Sequence, residues 1–116
     1  MTSTFNVVAR YRTKPGTTEE VLKRLGNMAA ETRNEPGNVS YEFFRGVEDD
    51  RNIVILESYR TPEDFDLHRH SQHFLNIGAA HIIPELESRT VSTYETANTP
   101  GEAPGPREGR RQGREN

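Results

Sequence analysis

The apolar positions of this chain form short alternating runs separated by stretches of helical spacing. Residues 5–13 alternate, with Phe5, Val7, Ala9 and Tyr11 on one side and Val8, Arg10 and Arg12 on the other, which is the period of a half-buried strand. Lys14-Pro15-Gly16 predicts a turn. Thr17 and Glu20 then have capping-box spacing, and Val21, Leu25, Met28 and Thr32 run down one helical face, flanked by Leu22 and Ala29. This helix is expected to stop before Glu35-Pro36-Gly37. A second strand is predicted over 39–45, with Val39, Tyr41 and Phe43 on one face and Phe44 on the other. A third is predicted over 52–59, after a charged loop at 46–51.

Residues 57–74, ESYRTPEDFDLHRHSQHF, carry the densest signals. Thr61 is placed to cap a helix, Pro62 suits its first turn, and Asp64 completes the capping-box spacing. Phe65 and His68 are three residues apart, so one helical face carries both, and burying the phenyl ring turns the imidazole inward. Ser71 reads as the cap of a further helix in which Phe74, Ile77, Gly78 and His81 share a face, so His81 is also expected to point inward. Pro84 ends or kinks that helix, and a weakly patterned last strand is predicted over 88–95.

The order β-α-β-β-α-β predicts an α+β, ferredoxin-like fold, an antiparallel sheet with both helices on one face. Strand 52–59 is apolar on both sides, Ile53 and Ile55 on one and Val54 and Leu56 on the other. Helices cover only one face, so a homodimer is expected, packed sheet to sheet over the second.

Composition changes this picture at the C-terminus. Of the 116 residues only 31% are apolar, and residues 96–116 hold just Ala97 and Ala103 of that set against three Pro and four Gly. The expectation is one domain over 1–95 and a disordered Pro/Gly/Arg-rich tail over 96–116. Net charge is −3 for the whole chain, which argues against nucleic acid as a partner. The absence of cysteine excludes disulfides, thiolate catalysis and Cys-ligated metals. The longest aliphatic run, residues 53–56, is far too short to span a bilayer, and no charged segment followed by an apolar one opens the chain. A cytoplasmic protein with no membrane partner is expected.

Several of these pieces occur together in one family. Lys14-Pro15-Gly16 after the first strand, Glu35-Pro36-Gly37-Asn38 with Tyr41-Glu42, Leu56-Glu57, and His68 spaced from Ser71, His73 and Phe74 resemble the antibiotic biosynthesis monooxygenase (ABM) family of dimeric α/β barrels. The resemblance spans about residues 7–94. It implies that fold and a dimer. It is less specific for reaction, because the family includes cofactor-free oxygenases, quinol oxidases, an isomerase and haem-degrading enzymes. The haem-degrading branch's Asn, Trp and His would fall at Ala9, His68 and Gly78, so that branch is not matched.

Two histidines are the candidate catalytic residues, His68 and His73. A neutral imidazole accepts a proton from a phenol near neutral pH, and a deprotonated aromatic is electron-rich enough to react with oxygen without flavin, haem or metal. Tyr11, Tyr41, Tyr59, Phe65, Phe74 and His81 are the candidate substrate-binding residues, the aromatics as walls of an apolar pocket. His70 and His73 have a ligand spacing of i, i+3, but the expected helix break at Ser71 separates them, so no metal and no cofactor is expected. Glu57, ending an apolar strand, is expected to form a structural ion pair, with Arg10 or Arg12 on the first strand or across the dimer. The reading is a cofactor-independent monooxygenase acting on a small phenolic or hydroquinone-like molecule. The alternatives are a redox-neutral isomerase or tautomerase using the same histidine, and a non-catalytic dimer that holds a small aromatic ligand.

Overall fold

The computed structural model describes residues 2–98. Its elements are β1 (Thr2–Thr13), α1 (Thr18–Thr32), β2 (Asn38–Arg45), β3 (Asn52–Tyr59), α2 (Pro62–Arg69), α3 (Phe74–Ile82) and β4 (Leu86–Asn98), with a short 3₁₀ turn at Ile83–Glu85. The strands form one antiparallel sheet in the order β2-β3-β1-β4, which is the ferredoxin-like arrangement expected from the element order. β4 continues through Asn98, past residue 95, where the domain was expected to end; the rest of the expected tail lies outside the described residues.

The strand parities set which residues meet the helices. Val7, Ala9 and Tyr11 of β1, Tyr41 of β2 and Ile53, Ile55, Glu57 and Tyr59 of β3 are buried on the inner face. Val21, Leu25, Met28, Ala29 and Thr32 of α1 close over them, as the helical spacing requires. α1 also packs on α3, and Gly78 makes the approach possible: a Cβ there would lie 2.8 Å from Met28 Cε. The outer face keeps Phe44 and Tyr94 about half exposed, with Leu56 beside them.

Three local expectations are corrected. Val39 does not share the inner face with Tyr41, because the β2–β3 register shifts between Asn38 and Ser40 and turns Val39 out to solvent. Thr17 does not cap α1 with its side chain; its hydroxyl donates to the Lys14 carbonyl at 2.8 Å instead. His81 is exposed rather than inward. α3 is a π-helix, whose i→i+5 bonds turn the chain less per residue than an α-helix does. Gly78 and Ile82 are therefore its buried residues, and the position seven after Phe74 swings away from the core.

Candidate active site

The helices are too few to cover all four strands. α2 stands off the β1–β4 half of the inner face, and the space between is a cavity of about 560 Å³, within the usual range for a small-molecule site. Phe5, Phe65, Phe74 and Met28 give it apolar walls, while Tyr11, Tyr41, Glu57, His68 and Arg89 supply the polar groups.

α2 brings His68 to this cavity. The Thr61 side chain accepts from Asp64 N at 3.1 Å and Pro62 occupies the first turn, so the cap forms as its spacing predicts. Phe65 and His68 are the two buried residues of the helix. Phe65 packs against Phe5 and Tyr59, with ring centroids 5.8 and 5.3 Å away, and this aromatic contact fixes the rotation of α2. His68 is 2% exposed, stacked on Phe65 and met edge-on by Phe74.

Glu35 reaches the same imidazole from the opposite side. The turn after α1 presses against the start of α2, where a Cβ on Gly37 would come within 2.2 Å of the Asp64 side chain, so this approach needs glycine. There Glu35 Oε2 lies 2.8 Å from His68 Nδ1 and 2.5 Å from His73 Nε2. A carboxylate only accepts, so each of these ring nitrogens donates a hydrogen. His68 Nε2 is left bare, at 3.8 Å from Glu57 Oε1. Glu57 in turn accepts from the Tyr59 hydroxyl at 2.6 Å.

The electrostatics follow from burial. Desolvation lowers the His68 pKa below its ordinary value, opposed by the hydrogen bond and charge of Glu35, so the imidazole is neutral near pH 7. Desolvation raises the Glu57 pKa from 4.5 to about 7; the Tyr59 hydrogen bond and Arg89 pull it down, and Glu35 pushes it further up. Burial also holds the Tyr41 and Tyr59 phenols well above their ordinary value. Two proton-exchanging groups thus stand side by side, a neutral base and a carboxyl poised near neutrality.

Of the residues singled out in the sequence, His68, Tyr11, Tyr41, Phe65 and Phe74 line the cavity. His73 is not at the wall but is tied to His68 through Glu35. Tyr59 is fully buried behind Glu57 rather than facing a ligand, and His81 is remote from the cavity for the reason given above. His70 is separated from His73 by the turn at Ser71, with its Nδ1 on the Asp66 carbonyl at 2.8 Å. Glu57 does not pair with Arg12, which binds Asp49 at 2.9 Å and Glu87 at 3.2 Å. Its signal was its parity: Ile53, Ile55, Glu57 and Tyr59 alternate, so the carboxyl had to face inward. Glu35 carried no such signal, because only tertiary packing brings it to His68. Glu35, His68 and His73 also have ligand atoms within 4.8 Å of one another, so they are the side chains that could hold a metal ion, in place of their mutual hydrogen bonds.

Known proteins share this architecture. The chain is 35% identical over 92 residues to Rv0793 of Mycobacterium tuberculosis, which bears a provisional monooxygenase name; the match covers 79% of this chain and 88% of that one. The solved structure of Rv0793 superposes with a TM-score of 0.69 at 30% identity, covering 83% of this chain and 95% of that one. PA3566 of Pseudomonas aeruginosa superposes with a TM-score of 0.77 over 84% of this chain and 98% of that one; at 19% identity it speaks for the fold alone. Residues 4–80 match the family model described as antibiotic biosynthesis monooxygenase, and with the fold in agreement from end to end of that match, the chain belongs to the ABM family.

Proposed function

We propose that the protein is a cofactor-independent monooxygenase that oxidises a small phenolic or hydroquinone-like molecule in the cavity under α2. The observation that carries this reading is the bare Nε2 of a neutral, buried His68 at the wall of an aromatic cavity, its other nitrogen held by Glu35. His68 Nε2 takes the phenolic proton, and the electron-rich anion then reacts with molecular oxygen. The substrate loses two hydrogens and gains one oxygen atom; the second oxygen atom leaves as water. Apolar walls keep bulk water from the anion. Family membership and the monooxygenase name of the mycobacterial relative support the same assignment.

The pairing of His68 with Glu57 favours one second reading. An imidazole and a carboxyl with a pKa of about 7 are suited to moving a proton between two atoms of one substrate, as a tautomerase does. An oxygen electrode separates the two. Turnover of a hydroquinone that consumes one oxygen per substrate is expected. Conversion that proceeds equally without oxygen would establish the tautomerase instead, and binding without conversion would leave a ligand carrier.

The outer face of the sheet supports a homodimer. Phe44 and Val54 pair directly across β2 and β3, Val8 and Leu56 across β1 and β3, and Tyr94 adds an exposed ring from β4. A second copy packed on this patch should bury about 1,200–2,000 Å² in total. Sedimentation should give twice the chain mass at micromolar concentration, and Leu56→Arg should give monomers. A wild-type monomer at that concentration would refute the dimer.

A further inference from the structure

We propose that Arg89 and Tyr11 form an oxyanion subsite in the cavity, so that the substrate carries, besides the hydroxyl that meets His68, an acidic oxygen: a carboxylate or a second, ionised hydroxyl. The proposal rests on the reading of His68 as a base toward an aromatic substrate.

Arg89 and Tyr11 are direct cross-strand partners on β4 and β1, so their side chains leave the same face of the sheet, and both line the cavity. Burial raises the Tyr11 phenol pKa, and the charge of the neighbouring Arg89 pulls against it. Most other described arginines are occupied; Arg10, exposed on the opposite face of β1, has no ion pair but does not face the cavity. Arg12, Arg24, Arg45, Arg51, Arg60 and Arg69 each lie within ion-pair distance of a carboxylate, and Arg33 gives two donors to the Tyr41 carbonyl. Among the described residues Arg89 has no carboxylate within that distance, although it faces a cavity that also contains acidic groups. Glu57 opposes it only through space, and Asp66 at the mouth is bound to Arg69, leaving Glu63 in the first turn of α2.

A guanidinium only donates, and the phenol hydroxyl has one hydrogen to give, so a ligand atom that meets both is an acceptor, and an anion meets them best. The spacing suits an aromatic with oxygens at both ends. Val7 faces Glu57 and Tyr11 faces Arg89, four residues further along β1, or about 13 Å of extended strand.

The test compares two matched probes by isothermal titration, 4-hydroxybenzoate and 4-hydroxybenzamide, which differ in charge but scarcely in shape. The wild-type protein should bind the acid about ten- to a hundredfold more tightly, the usual worth of a charge-assisted hydrogen bond. Arg89→Gln should erase the preference, and Arg89→Lys should restore part of it. His68→Gln should leave it in place. Hydroquinone, titrated above and below the pH at which it ionises, tells a carboxylate from a second hydroxyl as the natural anion. Equal affinity for acid and amide, or a preference that survives Arg89→Gln in a folded variant, would overturn the subsite even if oxygen is consumed. An acid preference without oxygen consumption would leave the subsite standing and overturn the monooxygenase reading. Failure of both probes to bind would overturn the subsite.

Discussion

Replacing His68 with glutamine is expected to lower turnover of a hydroquinone by about 10²–10⁴-fold, the usual contribution of a positioned general base. Glutamine is the informative choice. Its amide can still donate to Glu35, so the turn after α1 keeps its contact with α2, while no group remains to take a proton. The loss should fall on kcat more than on KM, because the proton is transferred in the transition state and the cavity walls are unchanged. Thermal melting and sedimentation should match the wild type. His70→Gln supplies the control: the ring is exposed on the far side of α2 and should be dispensable. Equal losses in the two variants, or full activity in His68→Gln, would remove His68 from the chemistry.

The second large effect is on stability and concerns Glu57. In the folded protein this carboxyl holds its proton up to about pH 7, whereas in the unfolded chain it ionises from 4.5. Between those values the folded state binds more protons than the unfolded one, so the contribution of Glu57 falls as pH rises from about 4.5 to about 7 and is level beyond. The loss amounts to about 3 kcal/mol at about 1.36 kcal/mol per pKa unit. Glu57→Gln cannot ionise and keeps an oxygen for the Tyr59 hydroxyl. Its stability relative to the wild type should therefore improve by about 3 kcal/mol between pH 4 and pH 8, a change in Tm on the order of ten degrees for a domain this size. His68, with its lowered pKa, acts in the opposite sense, losing stability as pH falls through the imidazole range, and is common to both proteins. A difference in Tm that stays constant across this range would show that Glu57 is not held protonated.

The sequence carried much of the fold and one half of the site. Strand β3 is legible because Ile53, Ile55, Glu57 and Tyr59 alternate without interruption, and α2 because Thr61, Pro62 and Asp64 specify its start within four residues. His68 follows from Phe65 by helical spacing alone. The failures share a cause. Ideal periods put Val39 and His81 on the inner face, and a bulge in one case and a π-helix in the other break the period locally. Nothing in the residues near Ser71 distinguishes a π-helix from an α-helix. Glu35 and Arg89 carry no signal as site residues in the sequence, because only tertiary packing brings Glu35 to His68 and only the β1–β4 pairing brings Arg89 to the cavity.

That remoteness affects when the protein acquires its chemistry. The contacts of Glu35 with His68 and His73 span 33 and 38 residues. They can close only after the β2–β3 hairpin has zipped and α2 has docked on the sheet, steps that pay loop-closure entropy before any local reward. A nascent or partly refolded chain can expose enough aromatic surface to hold a hydrophobic molecule. It has no oriented imidazole with which to ionise one. Ligand capture should therefore appear earlier in refolding than proton abstraction, and an immature chain would not generate a reactive phenolate outside a finished, water-poor chamber.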